Sequence, residues 1–181
     1  LALKYPERVG GLVLVATAAR PRGNHPPVSM WEEVATGIAG MVNWVVPGWQ
    51  WNIDTFGKRS LFRYLVQRHD PETYHYLARA AVPAYVQTSK YARRALSESL
   101  QQRYNRLPAL PNVRCPALVM AAECDRYITC ESSRETARAI PHSTWIEYPQ
   151  TAHLFPWEIS QQVRSDLKAW LDRLDGEQSG G

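Results

Sequence analysis

Two ionisable residues in this 181-residue chain stand in settings where side chains do chemistry. Asp125 ends the run PALVMAAECD over 116–125. His153 lies within YPQTAHLFPWE over 148–158. An imidazole has the one unperturbed side-chain pKa suited to taking and returning a proton near neutral pH. A buried carboxylate beside it fixes the ring's tautomer and stabilises the imidazolium as it forms. Taken singly, an Asp after a strand is ordinarily a turn residue or a helix cap, and a His in a loop ordinarily does nothing. Taken together, the pair needs two strand ends that lie close and point the same way.

The flanking residues supply such strands. Residues 117–122 are continuously apolar, as in a parallel strand covered on both faces. Residues 143–148 are β-branched and aromatic and stop at Pro149. Between them, 131–140 reads as a helix with Thr129 as a possible cap. Strand, helix and strand make a βαβ unit. Functional residues in open α/β sheets gather at the carboxyl ends of the strands, where Asp125 and His153 fall.

The two runs resemble the last third of the α/β-hydrolase fold, in which the chain order is nucleophile, then acid, then His. Asp125 matches the acid and His153 the base, 28 residues apart. Glu158 sits where that family often carries an acidic residue. The family's usual glycines are replaced by Ala122-Glu123 before the acid loop and by Ala152 before the His. The opening LALKYPERVGGLVLVATAA is similar to the segment that follows the family's nucleophile elbow, G-x-S-x-G, and 12–16 reads as a buried strand. No Ser, Cys or Asp within 1–181 sits in a G-x-[SCD]-x-G context. The resemblance therefore implies a nucleophile, of type Ser, Asp or Cys, upstream of Leu1. It also implies a chain that has no triad-dependent turnover alone, and a first strand with an open edge prone to association.

The expected fold class is α/β: the C-terminal part of an α/β-hydrolase parallel sheet with an inserted helical cap. The core is assigned to 1–28 and 107–175, the cap to 29–106, and 176–181 to a disordered tail. A Pro-rich loop at 17–28 marks the exit from the sheet. Ser29-Met-Trp-Glu32 is a capping box. Behind it Trp31, Val34, Ala35, Ile38, Met41, Val42 and Val45 share one helical face. Asp70-Pro71 starts another helix, continuing past Tyr74 and Leu77 to Tyr85 with a bend near Pro83. Tyr91, Ala92, Ala95, Leu96 and Leu100 give a further one. The final helix carries Ile159, Val163, Leu167, Trp170, Leu171 and Leu174. Of the cap aromatics, Trp31, Trp44, Tyr64, Tyr74, Tyr76 and Tyr85 read as cap core. Trp49 and Trp51, beside Gly48, read as the pocket wall for an apolar or aromatic substrate group.

Composition narrows the function classes. The formal net charge is +4 with basic residues scattered, which is ordinary solvated surface rather than a nucleic-acid footprint. Three cysteines without a C-x-x-C pair make neither a disulfide framework nor a zinc site. Cys124 and Cys130 read as small residues packed under the Asp loop. His25, His69, His75 and His142 have no catalytic context. No cofactor or metal is implied, and no apolar run of about 18 residues spans a membrane. The expected partner is a small-molecule substrate, with no nucleic acid and no membrane, in the cytoplasm. The expected reaction is ester or related acyl hydrolysis through a Ser-Asp-His triad. The alternatives are a non-catalytic binding protein of the same fold and a lyase or thioesterase-like biosynthetic enzyme.

Overall fold

The computed structural model describes residues 1–179, without the side chains of Tyr85, Leu100 and residues 177–179. Three parallel strands form its sheet: β1 (Leu12–Val15), β2 (Ala117–Ala122) and β3 (Ser143–Tyr148), in the spatial order β1-β2-β3. Every residue of β2 is buried, as its unbroken apolar run requires in a strand covered on both faces. Leu12 pairs with Ala117, and Ala122 with Tyr148. β2 and β3 therefore end level, and the loops carrying Asp125 and His153 leave the sheet side by side.

Alternation along the strands assigns each side chain to a face. Leu118, Met120 and Ala122 meet Tyr148, Phe155 and Trp170 on one side. Ala117 meets Leu110, Val113 and Ile140 on the other. The first face is covered by α9 (Ser160–Ser179), with Ile159, Val163, Leu167 and Leu174 packed around Trp170. Leu171, expected in that stripe, is exposed. The helix runs through Ser179, where the sequence predicts a disordered tail from 176, and Gly180 and Gly181 lie outside the described residues.

The second face is covered by α7 (Cys130–Ala139), whose N-cap Thr129 accepts from the Ser132 N–H. α7 buries only small residues, Ser132, Ser133, Thr136 and Ala137, so it can sit close to the sheet. Thr136 Oγ1 accepts from the Ala19 N–H, and Ser133 donates to the Thr17 carbonyl, pinning the chain as it leaves β1.

β1 departs from the buried strand expected for 12–16: Val13 and Val15 are 40% and 37% exposed. β1 is the edge strand of the described sheet, and α9 comes close to its chain at Gly11. A Cβ there would stand 3.0 Å from the Trp170 ring, so the contact depends on glycine.

A helical layer runs between β1 and β2. It comprises α1 (Met30–Val45), α2 (Gln50–Thr55), α3 (Phe62–Leu65), α4 (Pro71–Tyr76), α5 (Val82–Gln87) and α6 (Lys90–Gln101). The Ser29–Glu32 capping box is complete, and Asp70 caps α4 through the Thr73 N–H. A π-helical turn, Leu77–Ala81, joins α4 to α5 just before Pro83, which lacks the N–H that would continue the regular ladder.

The buried face of α1 differs from the one its apolar pattern predicts. It consists of Glu32, Ala35, Ala39 and Asn43, while Trp31, Val34, Met41, Trp44 and Val45 are exposed. Two alanines admit close approach, and the amide nitrogens of Asn43 and Asn52 are satisfied, while Asn52 Oδ1 has no hydrogen-bond partner among the described residues. Asn43 donates to the Tyr74 carbonyl and accepts from the Gly48 N–H, and Asn52 of α2 donates to the Ala39 carbonyl. Hydrogen-bonded polar groups of this kind are stable in a core. The cluster they support is Ile53, Phe62, Val66, Tyr74 and Leu77. Among the cap aromatics, Tyr64 and Tyr74 are buried as expected, whereas Trp31, Trp44 and Tyr76 are not. The Tyr85 and Leu100 side chains, read as layer core, lie outside the described residues. α6 exposes Tyr91 and Leu96, against the packed stripe expected there.

His69 hydrogen-bonds the Tyr74 hydroxyl through Nδ1 at 2.9 Å. Burial first, and Lys58 second, hold its imidazole below the ordinary value. As pH falls, the unfolded chain takes this proton before the folded one does. The stability from neutral His69 is thus complete above about pH 6.5 and is lost below it. The native urea midpoint should fall more steeply than that of H69Q between about pH 7 and pH 5. Parallel midpoint curves would contradict this.

Candidate active site

The acid loop begins where β2 stops. The Cys124 N–H donates to the Thr151 carbonyl and the Glu123 N–H to the Tyr148 carbonyl, so the sheet ladder extends into both loops. Asp125 is 4% exposed, and its two oxygens have different tasks. Oδ1 accepts from the Tyr127 and Ile128 N–H groups at 2.8 and 2.9 Å, closing an Asx-type turn. Oδ2 meets His153 Nδ1 at 2.8 Å. One side chain therefore both closes the turn and meets the imidazole. The pair that the α/β-hydrolase resemblance picks out is brought together by the structure.

The loop after β1 backs the acid loop. The Asn24 N–H donates to the Arg126 carbonyl and the Thr129 N–H to the Arg22 carbonyl. Gly23 lies between them, where a Cβ would stand 2.9 Å from the Tyr127 carbonyl oxygen. Only glycine permits that approach.

The two departures from the family's glycines are accommodated. Ala152 is buried and does not have positive φ; the left-handed residue of that turn is Gln150, at φ +54°. Glu123 accepts from the Gln150 N–H at 2.9 Å, and so ties the acid loop to the His loop. The Ala152 N–H donates to Glu158, and the Leu154 N–H to the Leu65 carbonyl.

Around the pair stands a group of residues that the sequence did not single out. The Tyr127 ring is 5.5 Å from His153 and 4.8 Å from His25. His25, expected to lie on the surface or in the cap without a role, is half-buried between Tyr127 and Tyr64. Tyr64 receives a hydrogen bond from Arg63, which also pairs with buried Glu32 at 2.6 Å. Asp-x-Tyr at the end of a strand is the only sequence signal for Tyr127; nothing local marks His25. Cys130, at the start of α7, has its thiol pushed up to about 11 by burial, and Cys124 is raised for the same cause. Neither is a thiolate nucleophile at neutral pH.

Trp49 and Trp51 stack on each other at 5.0 Å, and Trp51 meets Phe56 edge-on at 5.8 Å. Both are about half exposed, and no ring contact joins either to Asp125 or His153 among the described residues. A depression of about 410 Å³ between α1 and α5 is lined by Met41, Trp44, Pro83 and Val86, and another of about 280 Å³ lies at the start of β2 and β3. Neither is lined by the Asp–His pair. Among the described residues, no group of His, Cys, Asp and Glu could hold a metal ion, and no helix is long and apolar enough to cross a membrane.

The division of labour at Asp125 has a measurable consequence. Asn at this position keeps an oxygen for the turn, whereas Ala leaves two N–H groups without an acceptor. D125A should be less stable than D125N by about 2 kcal/mol or more in urea denaturation. Equal losses would show that Oδ1 does not hold the turn.

A comparison with curated proteins finds no match. Solved structures do match. A thermophilic esterase from Thermogutta terrifontis is 25% identical, with a TM-score of 0.58 over 96% of this chain and 59% of its own. An enol-lactonase from Burkholderia xenovorans LB400 is 22% identical, with a TM-score of 0.58 over 95% and 60%. An esterase from Exiguobacterium antarcticum is 18% identical, with a TM-score of 0.54 over 94% and 62%. The chain thus spans about three-fifths of the length of the proteins whose fold it shares. Residues 1–159 match the model of the serine aminopeptidase S33 family, and the chain belongs to that family of α/β-hydrolases.

Proposed function

We propose that Asp125 and His153 are the acid and base of a hydrolytic triad that cleaves esters or related acyl compounds. The observation that carries this reading is the 2.8 Å contact between Asp125 Oδ2 and His153 Nδ1, which leaves Nε2 for the reacting proton. The matching esterases and enol-lactonase, and the peptidase name of the family, have attack at an acyl carbon in common.

In the proposed cycle a serine attacks the acyl carbon and His153 Nε2 takes its proton. Asp125 steadies the imidazolium. The leaving group then takes the proton from Nε2; a water molecule, deprotonated at the same nitrogen, attacks the acyl-enzyme, and the serine oxygen takes that proton back as the acid leaves. The serine belongs in a G-x-S-x-G elbow, a context that 1–181 does not contain. Its neighbouring backbone N–H groups would stabilise the oxyanion. Residues 29–106 act as the cap over this site. The substrate is a small acyl compound, and the Tyr127 ring beside His153 favours an apolar or aromatic group on it. Trp49 and Trp51 are proposed to meet the same group further out.

Full-length protein assayed with a short p-nitrophenyl ester should lose about 10²–10⁴-fold in kcat/KM on H153A. Residues 1–181 alone should show no His153-dependent turnover. Ester hydrolysis by this chain that survives H153A would overturn the assignment.

A further inference from the structure

His153 is held by its neighbours in the chain as well as by Asp125. The Leu154 N–H donates to the Leu65 carbonyl at 2.8 Å. On the other flank, the Ala152 N–H donates to Glu158 Oε1 at 2.8 Å. Glu158 Oε2 accepts from the Gln67 and Arg68 N–H groups at 2.9 and 2.6 Å. Both flanks of the histidine therefore hang on one stretch of the helical layer, 65–68, directly on one side and through a carboxylate on the other. That carboxylate is 8% exposed. Burial pushes its proton affinity up, against the three backbone N–H groups that hold the charged form. A buried carboxylate that costs desolvation and spends both oxygens on backbone N–H groups of two separate segments is a joint, not surface charge.

We propose that Glu158 is a positioning residue that couples segment 65–68 of the helical layer to the backbone of His153, so that displacement of the layer displaces the base. This rests on the reading of His153 as the triad base. The coupling has a geometric reason. A glutamine at 158 has one acceptor oxygen and a donor amide. It can satisfy Ala152 or the Gln67–Arg68 pair, but not both, so E158Q must open one side of the joint. Proline at 67 opens it from the other end. Val66 already has φ −130° and ψ 143°, the extended conformation that a following proline requires, and Q67P removes one donor without touching the His loop.

The test reads amide hydrogen exchange and steady-state kinetics on the full-length protein. In the unaltered protein the amides of Gln67, Arg68, Ala152 and Leu154 should exchange as one cooperative group. E158Q should speed exchange on the side of the joint that it opens, at Ala152 or at Gln67 and Arg68, by about tenfold to a hundredfold relative to the amides of β2. Its kcat for a short ester should fall by about tenfold or more with little change in KM, because the base is misplaced while the binding surface stays. Q67P should change Ala152 exchange and kcat in the same direction, and it provides the result if E158Q does not fold. Exchange at Ala152, Gln67 and Arg68 and a kcat that all stay unaltered in the folded variants would overturn the proposal. Exchange is read without turnover, so a protein whose H153A variant stays active, which would end the triad reading, still reports whether Glu158 joins the two segments.

Discussion

The site depends on one buried carboxylate satisfied at both oxygens. A charged group out of water is costly unless it is paired and hydrogen-bonded. Asp125 meets that requirement by accepting two backbone N–H groups at Oδ1 and facing an imidazole at Oδ2. The first set fixes the loop, and the fixed loop aims the second oxygen. Level strand ends, the Glu123 link to Gln150 and the close approach of Gly23 all keep Asp125 and His153 in register. If the loop moved by an ångström the contact would lengthen beyond a hydrogen bond, and the carboxylate would be left buried without its partner.

The sheet explains why this carboxylate can be placed so firmly. β2 is buried on both faces and paired on both edges as far as Met120, and Ala121 and Ala122 at its carboxyl end stay paired with β3. The helical layer is attached differently. Its core is built around small residues and hydrogen-bonded amides, and Tyr91 and Leu96 of α6 stand exposed. The sheet end carries Asp125 and leads into the His153 loop, beside a layer tied to that loop at a few hydrogen bonds.

What was legible in the sequence follows the strength of the local physics. The run 117–122, the Thr129 cap, the Asp70-Pro71 start and the Ser29–Glu32 box each have a short-range cause, and each appears where it was read. Asp125 and His153 were legible as a pair because their flanks and chain order resemble the α/β-hydrolase pattern at two strand ends. The failures have a common cause, which is that burial is decided by partners far away in the chain. Helical periodicity marked an apolar side of α1 from which only Ala35 is fully buried, and Ala39 and Asn43 face the core with it, because small residues and a bonded amide fit there better than tryptophan does. Val13 and Val15 read as core and stand exposed for want of a covering element. His25 and Tyr64 reach the neighbourhood of His153 only through the fold.

The most direct measurement is the tautomer of the His153 ring, read by nitrogen NMR on histidine-labelled protein at about pH 8, above the ordinary imidazole pKa. The account predicts a proton on Nδ1, donated to Asp125 Oδ2, and a bare Nε2 ready to act as base. In D125N, whose amide must donate where the carboxylate accepted, the proton should shift to Nε2. A ring in the unaltered protein that carries its proton on Nε2, or that samples both tautomers freely, would contradict the claim that Asp125 orients His153 for catalysis.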